Sequence, residues 1–204
     1  SDMRKYLKEE GLSLVVIVSG NGTNLQAIID HIQSEKLPAK IKWVISNWGE
    51  AFALERAKKN SIPTLVIAEK SRERFEERLN EMLRETDFDY IVLAGFLRIL
   101  SPSFVQQYPK RILNIHPALL PRIPGTDAIR QAWEAGVTET GCTVHFVDEG
   151  VDTGPIISQK TVPIKPGDTL ETLTERVHAA EHQLYPEVLQ QLAKKKFESK
   201  GDPL

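Results

Sequence analysis

At 204 residues, 41% of them hydrophobic, the chain has enough apolar material to bury one complete core, and a single domain over 1–204 is the expectation. A net charge of −2 excludes a generally basic, nucleic-acid-binding domain, and one cysteine, Cys142, excludes an internal disulfide. No stretch reads as a signal peptide or a membrane span, so the composition points to a cytoplasmic protein whose partners are neither nucleic acid nor membrane.

Ser1 and Asp2 precede Met3 and read as a cloning remnant, and the charged segment as far as Gly11 reads as peripheral. Leu12 to Ser19 (LSLVVIVS) is a β-branched run too short for a helix, the pattern of a strand covered on both faces. Ser19-Gly20-Asn21-Gly22-Thr23-Asn24 follows, and then Leu25, Ile28, Ile29 and Ile32 recur at helical spacing. Strand, glycine turn and helix in that order gather free backbone N–H groups at the positive end of a helix dipole, which makes an anion site. A dinucleotide fingerprint would need a glycine near Leu25 and an acidic residue near Ser46-Asn47, and a P-loop would need Gly-Lys-Ser/Thr. None of these is present, so the turn suits one phosphate monoester better than a pyrophosphate. A tight turn without a ligand is the alternative.

Ile41 to Ser46 and Thr64 to Ile67 read as strands, with a helix over Ala51 to Asn60 between them. This alternation predicts a parallel, doubly wound sheet with helices on both faces. Ser71 caps a charged helix that runs to Thr86 and carries Arg72 and Arg74 in its first turn. Tyr90 to Ala94 is a fourth strand. It leads into Gly95-Phe96-Leu97-Arg98-Ile99-Leu100, an apolar segment outside regular structure that either packs on the core or lines a pocket for a flat ligand.

In Ile112-Leu113-Asn114-Ile115-His116-Pro117, a strand carries Asn114 and His116 on one face, and Pro117 ends it, which places both polar groups at the strand's C-terminal rim. Ligands of open α/β sheets bind at such rims. Pro121 to Gly125 is turn-rich, and Asp127 to Ala135 reads as a short helix. Gly141 to Asp148 (GCTVHFVD) is strand-like, with Thr143, His145 and Val147 on one face and Cys142 as a small core residue. The loop Asp148-Glu149-Gly150-Val151-Asp152-Thr153-Gly154 holds three carboxylates, solvated unless one of them meets His116. Ile156 to Val162 is the last strand. Asp168 to Lys196 is a long helix whose buried stripe is Leu170, Leu173, Val177, Ala180, Leu184 and Val188, with a kink expected at Pro186. His178-Ala179-Ala180-Glu181-His182 matches an inverted zinc-protease pattern, but His182 falls about 140° from Val177, toward solvent, so no metal is expected there.

Four ordered motifs, SGNGTN, AGFLRIL, NIHPALLP and TVHFVDEGVDTGP, give a resemblance over nearly the whole chain to the phosphoribosylglycinamide formyltransferase family, the folate-dependent enzymes of purine synthesis. The resemblance implies a Rossmann-like, mixed but mainly parallel sheet. It also implies formyl transfer from 10-formyltetrahydrofolate to the amine of glycinamide ribonucleotide, by a monomer or weak homodimer. On matching positions it implies Asn114, His116 and Asp152 as the catalytic trio, and Gly22, Thr23 and Asn24 with His178 and Glu181 at the ribonucleotide phosphate. Folate contacts are implied at Arg72, at Leu97, Arg98, Ile99 and Leu100, at Asn114, and at Asp148, Glu149, Gly150, Val151 and Asp152. His178 stands where relatives place glutamine or lysine, and Thr23 and Ala118 stand where serine is common.

The chemistry suits these residue types without the analogy. Attack of an amine on a formamide makes a tetrahedral oxyanion, which calls for preorganised donors such as an Asn amide and a His N–H. A carboxylate beside the imidazole favours its charged, donating form, and a carboxylate or held water can relay the protons. Methionyl-tRNA formyltransferase and formyltetrahydrofolate deformylase share parts of these motifs, but each is expected to carry a further domain for which this chain has no length. A non-catalytic folate or phosphate-ligand module is the reading from another class, and a turnover assay separates it.

Overall fold

The computed structural model describes residues 11–201, so the segment expected to be peripheral lies almost wholly outside the described residues. The described residues form two compact units, one made of the chain as far as Leu100 together with the stretch from Pro186 onward, the other of Ser101–Tyr185.

The first unit holds β1 (Leu12–Val18), β2 (Ala39–Ser46), β3 (Thr64–Val66) and β4 (Tyr90–Leu93), with α1 (Thr23–Gln33), α2 (Phe52–Lys59) and α3 (Arg72–Arg84) between successive strands. All pairings are parallel, in the order β3-β2-β1-β4. The central β1 is the β-branched run of the sequence, and Leu14, Val15, Val16, Ile17 and Val18 are fully buried. Burial of each such side chain stabilises the fold by about 1.5–3 kcal/mol, which is why a run without alternation becomes the centre of the sheet. The C-terminal ends of these strands are tied together by Ser19: its N–H donates to Gly95 O, and its hydroxyl accepts from the Leu97 N–H at 2.9 Å and lies 2.7 Å from the Asn47 amide.

The second unit holds β5 (Ile112–His116), β6 (Glu139–Phe146) and β7 (Ile156–Pro163), antiparallel in the order β5-β6-β7, with the short helices α4 (Pro102–Val105) and α5 (Ala128–Glu134). The fold is therefore α/β and mainly parallel, and the antiparallel strands supply its mixed part. The sixth strand begins two residues earlier than the sequence suggests and stops at Phe146, because the Phe146 N–H pairs with Pro155 O and a register shift falls between Val144 and His145. Bulges of this kind re-aim the side chains beside them.

The last helix, α6 (Leu170–Gly201), runs through Pro186. Leu173, Val177, Ala180, Leu184 and Val188 are buried as the spacing predicts. Two positions differ: Leu170 is half-buried, and His182 is half-buried rather than turned to solvent. Tyr185 and Leu189 are also fully buried, which widens the apolar face to about 120° from Val177 and brings His182 to its edge.

Candidate active site

The antiparallel register decides which side chains meet in the second unit. It sets Asn114 opposite His145 and His116 opposite Thr143. His116 is buried at the end of β5. Its Nδ1 lies 3.4 Å from Asp152 Oδ2, and its Nε2–H donates to the Ile123 carbonyl at 2.7 Å. Asp152 sits at φ 54°, an uncommon backbone for a non-glycine residue, and its Oδ2 accepts the Gly125 N–H at 2.8 Å. Asn114, His116 and Asp152, nominated from sequence, are thus brought together in one unit.

His145 joins them, although sequence reasoning assigned it no role. Its Nδ1 donates to the Phe146 carbonyl at 2.9 Å, while its Nε2 stands 3.4 Å from Asn114 Nδ2 and 3.7 Å from Asp152 Oδ1. Burial pushes its pKa below the usual histidine value, against the opposing pull of the Phe146 carbonyl and Asp152. The ring is therefore neutral, with its proton on Nδ1 and its lone pair on Nε2 facing the Asn114 amide, so the approach to Asp152 is not an ion pair. Thr143 is the second missed residue. It is fully buried, and its hydroxyl donates to Ala118 O at 2.7 Å and accepts from Leu120 N at 3.1 Å and Gln159 Nε2 at 2.9 Å. These bonds fix the turn that leaves β5 just after His116. The available signal was the pair of polar residues, Thr143 and His145, on one face of an otherwise apolar strand.

The 148–154 loop is folded by Asp148, whose Oδ1 accepts from Gly150 N at 2.9 Å and Thr153 Oγ1 at 2.6 Å. Glu149, Gly150 and Val151 are exposed beside it. Gly154 admits no side chain, since a Cβ there would lie 1.7 Å from Phe146 O.

In the first unit Gly22 caps α1 at φ 81°, and exposed Thr23 and half-buried Asn24 form the first turn. Such N–H groups have no intrahelical acceptor and face the end of the helix dipole. Of the 95–100 segment, Leu97 is 84% and Ile99 61% exposed, whereas Leu100 is buried. The Arg98 side chain is committed locally: it donates to Glu69 O at 2.6 Å and lies over the Phe75 ring, against which Phe96 stacks. Arg72 is exposed on α3.

His178 and Glu181 form a pair on α6, Nδ1 to Oε1 2.9 Å, with Glu181 buried and the His178 side chain 48% exposed. The hydrogen bond to Glu181 raises the His178 pKa, partly opposed by burial. Among the described residues no group of three or more His, Cys, Asp or Glu side chains is placed to hold a metal, and no helix is long and apolar enough to cross a membrane. Cys142 is fully buried, which pushes its thiol up to about 12.

An amide, an imidazole and a carboxylate converging at a strand end, without an activated nucleophile, suit acyl transfer between small molecules. The formyl transferase family model matches residues 12–189. The chain belongs to the formyl transferase family and, within it, to the phosphoribosylglycinamide formyltransferases. It is 44% identical to the phosphoribosylglycinamide formyltransferase of Bacillus subtilis, over 87% of this chain and 92% of that one, and 45% identical to that of Escherichia coli, over 87% and 85%. Identity to the human trifunctional purine biosynthetic protein adenosine-3 is 49%, but the chain spans only 18% of its length, and between 13% and 20% of six such trifunctional proteins. Among solved structures, the phosphoribosylglycinamide formyltransferase of Coxiella burnetii superposes with a TM-score of 0.87 at 48% identity, covering 91% of this chain and 89% of that one.

Proposed function

We propose that the protein transfers the formyl group of 10-formyltetrahydrofolate to the amine of glycinamide ribonucleotide, giving formylglycinamide ribonucleotide. The observation that carries this reading is the convergence of Asn114, His116 and Asp152 at the end of β5. The folate supplies a formyl carbon on nitrogen, and the residues of this chain do the rest. Asn114 Nδ2 and a His116 N–H donate to the formyl oxygen as it becomes negative, and the Asp152 carboxylate, facing the ring at 3.4 Å, balances charge on the imidazole. The His116 Nε2–H is already taken by Ile123 O, so the 121–125 segment releases it, and Asp152 with it, when substrate arrives. Asp152, directly or through a held water, moves the proton from the attacking amine toward the departing folate nitrogen.

In the first unit Gly22, Thr23 and Asn24 offer their N–H groups to the ribonucleotide phosphate, and in the second unit His178, whose protonated form is favoured by its hydrogen bond to Glu181, is a further phosphate contact that the family resemblance implies. Arg72, Leu97, Arg98, Ile99, Leu100 and the 148–152 stretch contact the folate, the exposed Leu97 and Ile99 against its rings. Both partners are small molecules, and the protein is a cytoplasmic monomer or weak homodimer.

The test is a turnover assay of the purified protein with both substrates, alongside Asn114→Ala. Loss of one oxyanion donor is expected to lower kcat by about 10²- to 10³-fold. Binding of both ligands without product would leave a non-catalytic module instead.

A further inference from the structure

We propose that Arg56 is the positioning residue of the phosphate turn, holding the Asn21 and Gly22 peptides in the orientation that offers their N–H groups to an anion. The inference rests on the reading of that turn as the phosphate site, and nothing in the sequence motifs singles Arg56 out.

The geometry runs from α2 to the turn. The Ala53 N–H, in the first turn of α2, donates to Gly20 O at 3.0 Å. One turn further on, Arg56 Nε donates to Asn21 O at 2.8 Å, and its Nη2 donates to Asn21 Oδ1 at 2.6 Å. The remaining Nη1 reaches Gln26 Oε1 on α1 at 3.3 Å. The guanidinium lies over the ring of Phe52, 4.8 Å from its centroid, so the fork is held from behind as well as in front. Two successive carbonyls, Gly20 and Asn21, are therefore drawn toward α2.

A trans peptide is a rigid plane with its N–H opposed to its C=O. Both peptides are trans, so fixing the Gly20 and Asn21 oxygens on α2 turns the Asn21 and Gly22 N–H groups away from it. Gly22 completes the arrangement. It sits at φ 81°, and a Cβ there would lie 2.5 Å from Ala53 Cβ and 3.4 Å from Arg56 Cδ, so the turn rests directly on α2. Arg56 acts through the shape of its fork. Its charge is already shared with Asn21 and Phe52, and a lysine would keep that charge without the two-point grip.

The experiment compares Arg56→Lys and Arg56→Gln with the unaltered protein, measuring kcat, both Michaelis constants, inhibition by inorganic phosphate, and the thermal midpoint. Arg56→Lys is expected to raise KM for the ribonucleotide about 10-fold, the scale of one lost charge-assisted hydrogen bond, and to weaken phosphate inhibition by the same factor. The folate KM and kcat should move much less, and Arg56→Gln should behave like Arg56→Lys. A normal ribonucleotide KM in Arg56→Lys with a defect only in Arg56→Gln would make the residue a source of charge and overturn the inference. So would a fall in kcat, both affinities and Tm together, which marks a merely structural role.

Thr23→Glu separates failure of the underlying reading. A carboxylate in the first turn suits the helix dipole but repels phosphate. If Thr23→Glu leaves the ribonucleotide KM unchanged, the turn is not the phosphate site and the inference falls with it. If Thr23→Glu raises that KM and Arg56→Lys does not, the inference alone is wrong.

Discussion

In the first unit the groups proposed to meet a ligand are backbone N–H groups at the start of α1, and a side chain, Arg56, holds the turn that carries them. In the second unit the groups proposed for that role are side chains, Asn114, His116 and Asp152, and backbone atoms hold them: Ile123 O on His116, Gly125 N on Asp152, Phe146 O on the His145 that faces Asn114. The difference separates two kinds of vulnerability. A backbone site changes when the chain path changes, so it answers to glycine and to positioning contacts, and it governs ground-state affinity. A side-chain site answers to the identity of one atom and governs the transition state, where charge develops.

The largest effect expected is at Asp152. Asparagine tolerates the left-handed backbone found there and keeps an oxygen for the Gly125 N–H, so Asp152→Asn removes charge with little change of shape. The turnover number should fall by about 10²- to 10⁴-fold, with small changes in both Michaelis constants. His116→Ala should cost at least as much, and the double variant little more than the worse single one, since groups acting as a unit are not additive. If Asp152 only shapes its loop, Asp152→Asn will instead show a lowered Tm and a normal rate per folded molecule.

The matching substitution in the backbone site is Gly22→Ala. A non-glycine residue in the left-handed region costs about 1–2 kcal/mol, and here its Cβ also collides with Ala53. The thermal midpoint should drop, and KM for the ribonucleotide should rise far more than KM for the folate, with kcat reduced less than in Asp152→Asn. An equal rise in both Michaelis constants would dissolve the contrast between the two units.

Most of the fold was legible because its signals are local. The unbroken β-branched run became the fully buried β1, Ser71 caps α3 by accepting the Arg74 N–H, and Gly22 stands at φ 81° where the turn needs it. The Asn114 and His116 pair was legible too, since a two-residue spacing in a strand fixes a shared face. His145, Thr143 and Arg56 were not assigned roles, and for one reason. Each acts through a contact set by register or by helix-to-turn packing between segments 25 to 35 residues apart, as in Asn114 opposite His145, Thr143 against Ala118, and Arg56 on Asn21. Local spacing carries no information about such distances. His182 misled for a related reason, because the width of a buried helical face depends on what packs against it.

The smallest effect expected is at His178, and its sign can be worked out. Its hydrogen bond to Glu181 raises the folded-state pKa above the ordinary 6.5, so the protonated form is favoured by folding. The stabilisation is present in full below pH 6.5 and is lost as pH rises through the raised folded value. His178→Gln removes it, so the Tm advantage of the unaltered protein should be greater near pH 6 than near pH 9. The side chain is 48% exposed, which screens the pair. An exposed pair is worth about 0.2–1 kcal/mol, which at about 2–4 °C per kcal/mol in a chain of this size is at most about 4 °C. The same titration tests the phosphate assignment. Between about pH 7 and pH 9 a phosphate monoester is already a dianion, and the substrate amine, which titrates in that range, does so identically with both proteins, so a difference between their ribonucleotide KM profiles comes from residue 178. If His178 contributes its charge to the phosphate, the rise of that KM with pH should be flatter in His178→Gln. Parallel KM profiles in the two proteins, together with the expected change in Tm, would leave the pair as a clamp on α6 and remove His178 from the binding site.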